Sequence, residues 1–327
     1  MSTVESRSRL LGFCLLGLAG CLVGLSVLGP LVAGVIHWRI RPTILSQLYG
    51  LDTVSLVVVA PVAAGAGALA LRGRTSGALL GFAPAAYAVY MVPQYVLGPD
   101  YAHLAGNNER WFPLLLVLFA LGAVGAALAW SRLTAAAPPG PARLESLVGR
   151  RLLPAVAAVV FLRYLPTLAD WISTSPQAKD YLAGPNFSWA IALLDLGVAL
   201  PATVAVCVGY RHAAGWARRG LYALTGWFAL VGAAVAGMAI AMQLRHDPAM
   251  TVPHMVVMSV LGGLLIALAA ALYAPVLRPT ATQPTPPGRT ARSTARITGA
   301  RSPSHVADAP GHARSPRRGT GQRSMQP

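Results

Sequence analysis

The chain has 327 residues, of which 55% are hydrophobic and only 11% charged, with a mean hydropathy of +0.57. A soluble domain carries about a quarter charged residues, so a water-solvated globule is excluded. The formal net charge of +16 does not describe a nucleic-acid groove either, because the basic residues fall in short loops and one terminal tail.

The apolar residues form long uncharged blocks rather than period-2 or amphipathic period-3.6 patterns, as in helices solvated by lipid. Eight blocks are long enough to cross about 30 Å of hydrocarbon: 11–36, 51–71, 76–97, 112–131, 152–172, 187–210, 219–243 and 252–277. The expected fold is all-α, a polytopic transmembrane bundle of about eight helices. A short N-terminal segment, 1–10, precedes helices one to four within 11–131. A loop, 132–151, follows, then helices five to eight within 152–278 and a tail, 279–327.

The first block opens after Arg7 and Arg9 and contains Gly29-Pro30, which predicts a kink. Its Leu18-Ala19-Gly20-Cys21 run mimics a lipoprotein signal, but Leu22–Ile36 stays apolar, so a first helix is the better reading. Helix three carries Tyr87, Tyr90 and Gln94 at i, i+3, i+7 spacing, which predicts one polar face, with Pro93 as a local break. The loop after helix four holds Ala136-Ala137-Pro138-Pro139-Gly140-Pro141 and divides the helices four and four. The halves share faint features. Asp52 is followed by Pro61 in helix two, Asp195 by Pro201 in helix six, and the next helix closes in Gln94 or Gln243. With an even number of helices per half, such a 4+4 repeat would be parallel.

Helices five and six carry the sharpest signal. Arg163 and Asp195 lie at matching depth in consecutive antiparallel helices, and a charge there costs about 2.5–3.5 kcal/mol on insertion scales. A direct ion pair is expected. Its bland reading is helix registration; its functional reading is a polar cavity used by substrate, ion or proton. Asp170 continues the Arg163 face past Pro166. Together with Asp52, Tyr87, Tyr90, Gln94, Gln243 and His254, these residues are the candidates for an outward-facing polar vestibule. No HxxxH or HExxH spacing groups the histidines, so no metal and no cofactor is expected. The three cysteines, Cys14, Cys21 and Cys207, sit in apolar blocks without a CxxC or disulfide framework. Ala63–Gly67 and Gly232–Gly237 are small-residue runs suited to close helix packing.

Arginine is used 25 times and lysine once, at Lys179. With both termini inside, the inner loops hold 11 Arg or Lys and the outer loops 5, and Arg278 with the tail adds nine more inside. Asp52, Asp100, Glu109, Asp170, Asp180 and Asp247 fall toward the outer side. Both termini are therefore expected in the cytoplasm of a cell whose plasma membrane the chain spans. The tail is rich in Pro, Thr, Ser, Arg and Gly, without apolar periodicity, so disorder is expected, with anionic lipid as its partner.

Two segments, LLGFAPAAYAVYMVPQYVLGPDY at Leu79–Tyr101 and LLDLGVALPATVAV at Leu193–Val206, resemble a group of bacterial and archaeal multi-pass membrane proteins without an established activity. The resemblance implies the topology and no chemistry. Three functions therefore compete: a small-solute or ion transporter, a structural or regulatory membrane protein without substrate, and a membrane-embedded enzyme or redox subunit. The last lacks a recognisable catalytic set.

Overall fold

The computed structural model describes residues 3–133 and 141–277; most of the Pro-rich run and the 279–327 tail lie outside them. The described residues are helical and contain eight spans long and apolar enough to cross a membrane. These are α1 Glu5–Leu28, α2 Pro42–Leu71, α3 Thr75–Leu97, α4 Asn108–Arg132, α5 Ala142–Trp171, α6 Pro185–Arg211, α7 Ala217–Leu244 and α8 Val252–Pro275. The side of the bundle reached by Ser8, Arg72, Leu133 and Tyr273 is called here the terminal side. The side of His37, Asp100 and Asp247 is the loop side.

Three boundaries differ from the sequence expectation. The first helix begins at the N-terminal arginines and stops at Leu28 instead of running to Ile36. Pro30 has no N–H and Gly34 adopts φ +59, so the chain turns back there, and the freed carbonyls of Val27 and Leu28 accept N–H groups from Ala33, Val35 and Ile36. The second helix starts nine residues earlier than expected, at Pro42, whose fixed φ suits a first helical position. Asp52 therefore lies ten residues inside a span, about 15 Å from its end, and not at a mouth. The fifth begins at Ala142, which draws Glu145 into the bundle.

Helices α2, α5 and α6 share one device. Each widens into a π-helical turn, Ser55–Val59, Val148–Leu152 and Asp195–Ala199, and each returns to α-helix with proline as its second residue, Pro61, Pro154 and Pro201. A proline ring clashes with the carbonyl four residues earlier and donates no bond. A wider turn before it relieves the clash without ending the helix.

These turns also set a register between the halves. Ser55, Pro61, Gly73 and Pro113 each have a counterpart 140 residues later, at Asp195, Pro201, Ala213 and Pro253. The first pair opens the π-turns, the second follows them, and Gly73 and Ala213 both have positive φ. The last pair stands just inside α4 and α8. Packing follows the same relation: α2 packs on α7, α3 on the first part of α6, and α3 on α7 between them. The same offset carries the α2–α7 contact onto the α6–α3 contact. It pairs Asp195 with Ser55 rather than with Asp52, which is why the Asp-to-Pro spacings read from sequence disagree. The halves are not equivalent, because α1 closes onto α4 whereas α5 and α8 do not pack along each other.

The small-residue runs make close crossings. Gly12 of α1 meets Gly67 of α2, and Gly232 of α7 meets Gly262 of α8. At the α2–α7 crossing a Cβ on Gly50 would overlap the Gly237 carbonyl, and one on Gly237 would reach Val54 Cγ2 at 2.6 Å. Backbone cannot step aside as a rotamer can. Gly50→Ala is therefore expected to destabilise by about 3 kcal/mol, the upper end of overpacking costs, read as a lower midpoint of thermal unfolding in detergent. Gly65→Ala, where a Cβ meets nothing within 4 Å, is the control and should be neutral or slightly stabilising.

The loop side is stapled by side chains of the connections between helices. Asn107 Oδ1 accepts from His37 N at 2.8 Å, and its Nδ2 donates to Val35 O at 2.9 Å. Asn108 Oδ1 accepts from Arg39 N at 2.9 Å, and Arg39 pairs with Glu109 at 3.1 Å. Arg39, which runs against the arginine bias, thus ties the α1–α2 connection to the start of α4. His103 donates to Asp100 across 2.9 Å, which holds that exposed carboxyl below the usual carboxylate range.

Candidate functional site

Helix α3 delivers tyrosines in two directions. Tyr87 and Tyr95 point into the first half, and Tyr90 points toward the second. Three residues of α-helix leave Tyr87 and Tyr90 about 60° apart, enough to separate their partners, so the single polar face expected from Tyr87, Tyr90 and Gln94 is not formed. Tyr87 OH shares a 3.1 Å hydrogen bond with Ser55 Oγ. Gln94 folds back, its Nε2 donating to Tyr90 O at 3.3 Å and lying 3.6 Å from Met91 Sδ.

Tyr90 donates to Asp195 Oδ1 at 2.5 Å, and Tyr164 of α5 donates to Asp195 Oδ2 at 2.7 Å. The carboxylate is half-buried and opens the π-turn of α6, ten residues inside the span, about 15 Å from its loop-side end. Edge-on packing of Tyr90 against Trp227, with centroids 5.1 Å apart, closes the α7 side. Three helices from both halves therefore meet on one carboxylate through two hydroxyl donors.

Arg163 is not Asp195's partner. Among the described residues no ion pair joins them; Arg163 is exposed, with its guanidinium 5.7 Å from the Tyr164 ring centroid. The cause lies in the helix face. The buried positions of α5, Leu153, Ala157, Tyr164 and Trp171, recur at four- and seven-residue steps, and Arg163 is turned about 100° from that stripe. Its neighbours Phe161, Leu162 and Leu165 are exposed apolar residues, so Arg163 stands at the border of a lipid-facing surface. The sequence signal for Tyr164 was available in that heptad-like stripe, but the charge beside it drew the assignment.

The remaining candidates are scattered. Asp170 caps the turn after α5, accepting from Gln177 N at 3.0 Å and Ala178 N at 2.8 Å. His254 is exposed on α8, and Gln243 Oε1 is buried without a hydrogen-bond partner. A loop-side cavity of about 340 Å³ is lined by Val96, Tyr101, Asn108, Glu109, Phe112 and Leu115. Asp52 is 1% exposed and accepts from Tyr95 OH at 2.8 Å within the first half. Among the described residues no three of His, Cys, Asp and Glu gather as a metal-ligand set.

One cluster escaped the sequence reading. Glu145, assigned there to a loop, is 6% exposed and accepts from Arg218 Nε at 2.9 Å, Arg218 Nη2 at 2.8 Å and Tyr222 OH at 2.6 Å. Tyr273 OH in turn donates to Tyr222 O at 2.6 Å. This network bolts α5, α7 and α8 together on the terminal side.

Comparisons with models of protein families, with curated proteins and with solved structures gave no match. The chemistry must be argued from the arrangement itself.

Proposed function

We propose that the protein is a carrier of a small solute or ion across the plasma membrane, with Asp195 as the group that exchanges a proton or cation. The observation that carries this is a mid-span carboxylate held by two tyrosine hydroxyls from two other helices, without a basic side chain paired to it among the described residues. An intramembrane carboxylate is costly to keep, and such groups mark ion and proton paths in carriers. A π-turn followed by proline suits a helix that must shift locally, and both donors are hydroxyls, which can release the carboxylate without leaving a charge behind. The structural or regulatory reading is favoured by Ser55–Tyr87, a polar pair that is satisfied inside the first half.

Orientation belongs to the same proposal. The arginine bias sets both termini in the cytoplasm, so reporters fused after Arg74 and Arg143 should read cytoplasmic and those after Pro99 and Lys179 external. The reverse pattern would invert the direction of transport.

The functional test uses the purified protein in liposomes with a trapped pH or sodium dye. The wild type should dissipate an imposed proton or sodium gradient faster than protein-free liposomes, and Asp195→Asn should not. Wild-type vesicles as tight as empty ones to proton, sodium and potassium gradients would leave the structural reading in place.

A further inference from the structure

Helix α1 ends at Leu28, and the carbonyls of a last helical turn form its negative end. The Asp52 carboxylate packs against that end. Asp52 Oδ2, Leu25 O and Ser26 O lie 3.1, 2.9 and 3.6 Å from the single point where a side chain on Gly29 would begin. A side chain at Gly29 would press on both the carboxylate and the turn. Ser26 Oγ donates to the main-chain carbonyl of Asp52 at 3.1 Å, which ties α1 to α2 next to this point.

The charge balance around Asp52 is one-sided. Asp52 Oδ1 has its tyrosine donor, but Oδ2 is buried and receives no hydrogen bond. Among the described residues no arginine, lysine or histidine forms an ion pair with Asp52. A carboxylate buried beside a helix's carbonyl end, without a counter-charge, is unfavourable on both counts.

We propose that Asp52 and the carbonyl end of α1 bind one alkali-metal cation. A single positive charge neutralises the single carboxylate, whereas a divalent ion would leave an uncompensated charge in the membrane interior. The donors are all oxygens, one carboxylate and the backbone carbonyls of Leu25 and Ser26, which suit a hard cation rather than a thiolate- or imidazole-seeking metal. The site is separate from Asp195, whose hydroxyl donors are Tyr90 and Tyr164, and it stands whether or not Asp195 transports anything.

The test is thermal unfolding of the full chain in detergent, with sodium, potassium or choline chloride at one ionic strength. The wild type should melt several degrees higher in sodium or potassium than in choline, with a saturable concentration dependence. Asp52→Asn should lose that increment, and Asp195→Asn should keep it. Gly29→Ala retains the carboxylate but places a methyl group among the three oxygens, and should weaken the apparent cation affinity about tenfold, so the proposal stays testable even where Asp52→Asn fails to fold. Identical melting in all three salts would overturn it. So would a midpoint that rises on acidification, through Asp52, without any alkali dependence, since a proton would then be the occupant.

Discussion

Replacing Arg218 with alanine is expected to cost about 3–5 kcal/mol of folding stability, the range for breaking a buried ion pair by removing one partner. Glu145 is 6% exposed and takes two guanidinium bonds in a fork, with Tyr222 as a third donor. Without Arg218 the carboxylate stays where it is, buried and without the guanidinium fork. The Arg218 side chain is 32% exposed, so water or lipid headgroups partly compensate and the lower end of the range is the better expectation. Adding Glu145→Gln to Arg218→Ala should recover a good part of the loss, because the uncompensated charge goes with it. A double-mutant cycle of thermal midpoints measures this. Coupling below about 0.5 kcal/mol would mean that α5 and α7 are not held through this pair.

Asp195→Asn should behave in the opposite way, with a near-neutral stability change and at least a hundredfold loss of gradient dissipation. The substitution forfeits charge-assisted bonds from Tyr90 and Tyr164, worth about 1.5–3 kcal/mol each at most. It also removes a charge whose place inside a span costs about 2.5–3.5 kcal/mol, and the amide oxygen still accepts from one tyrosine. The two effects offset to within about 1 kcal/mol. A carboxylate kept at no gain in stability is retained for chemistry; one whose loss unfolds the bundle is a fastener. A stability loss above about 3 kcal/mol, with gradients unaffected, would assign Asp195 to the second class. Arg163→Ala is expected to add independently to Asp195→Asn, since the two side chains are not in contact.

The number, order and approximate position of the eight spans were legible in the sequence, because lipid demands about twenty apolar residues per crossing and little else can supply them. So were the close crossings at Gly67, Gly232 and Gly237, since small residues in an apolar helix have no other evident use. Helix ends were less legible. The expected second helix began at residue 51, so Pro42–Gly50, with the polar Ser46 and Gln47, fell outside it, although those residues are helical and Ser46 is buried.

Partners inside the bundle were decided only in three dimensions. Sequence placed Asp195 and Arg163 at one depth, and depth is set by residue count alone. Which of two adjacent residues faces inward depends on the rotation of α5, fixed by packing of Tyr164 and Trp171 rather than by charge. The register of the halves was hidden for a related reason. Asp52 and Asp195 look equivalent by residue type, whereas the backbone turns make Ser55 the counterpart of Asp195. Glu145 and Arg218 are 73 residues apart, and neither carries a local signature. Composition determined that this chain lives in lipid; the helix rotations that only tertiary packing selects determined which of its few polar groups meet.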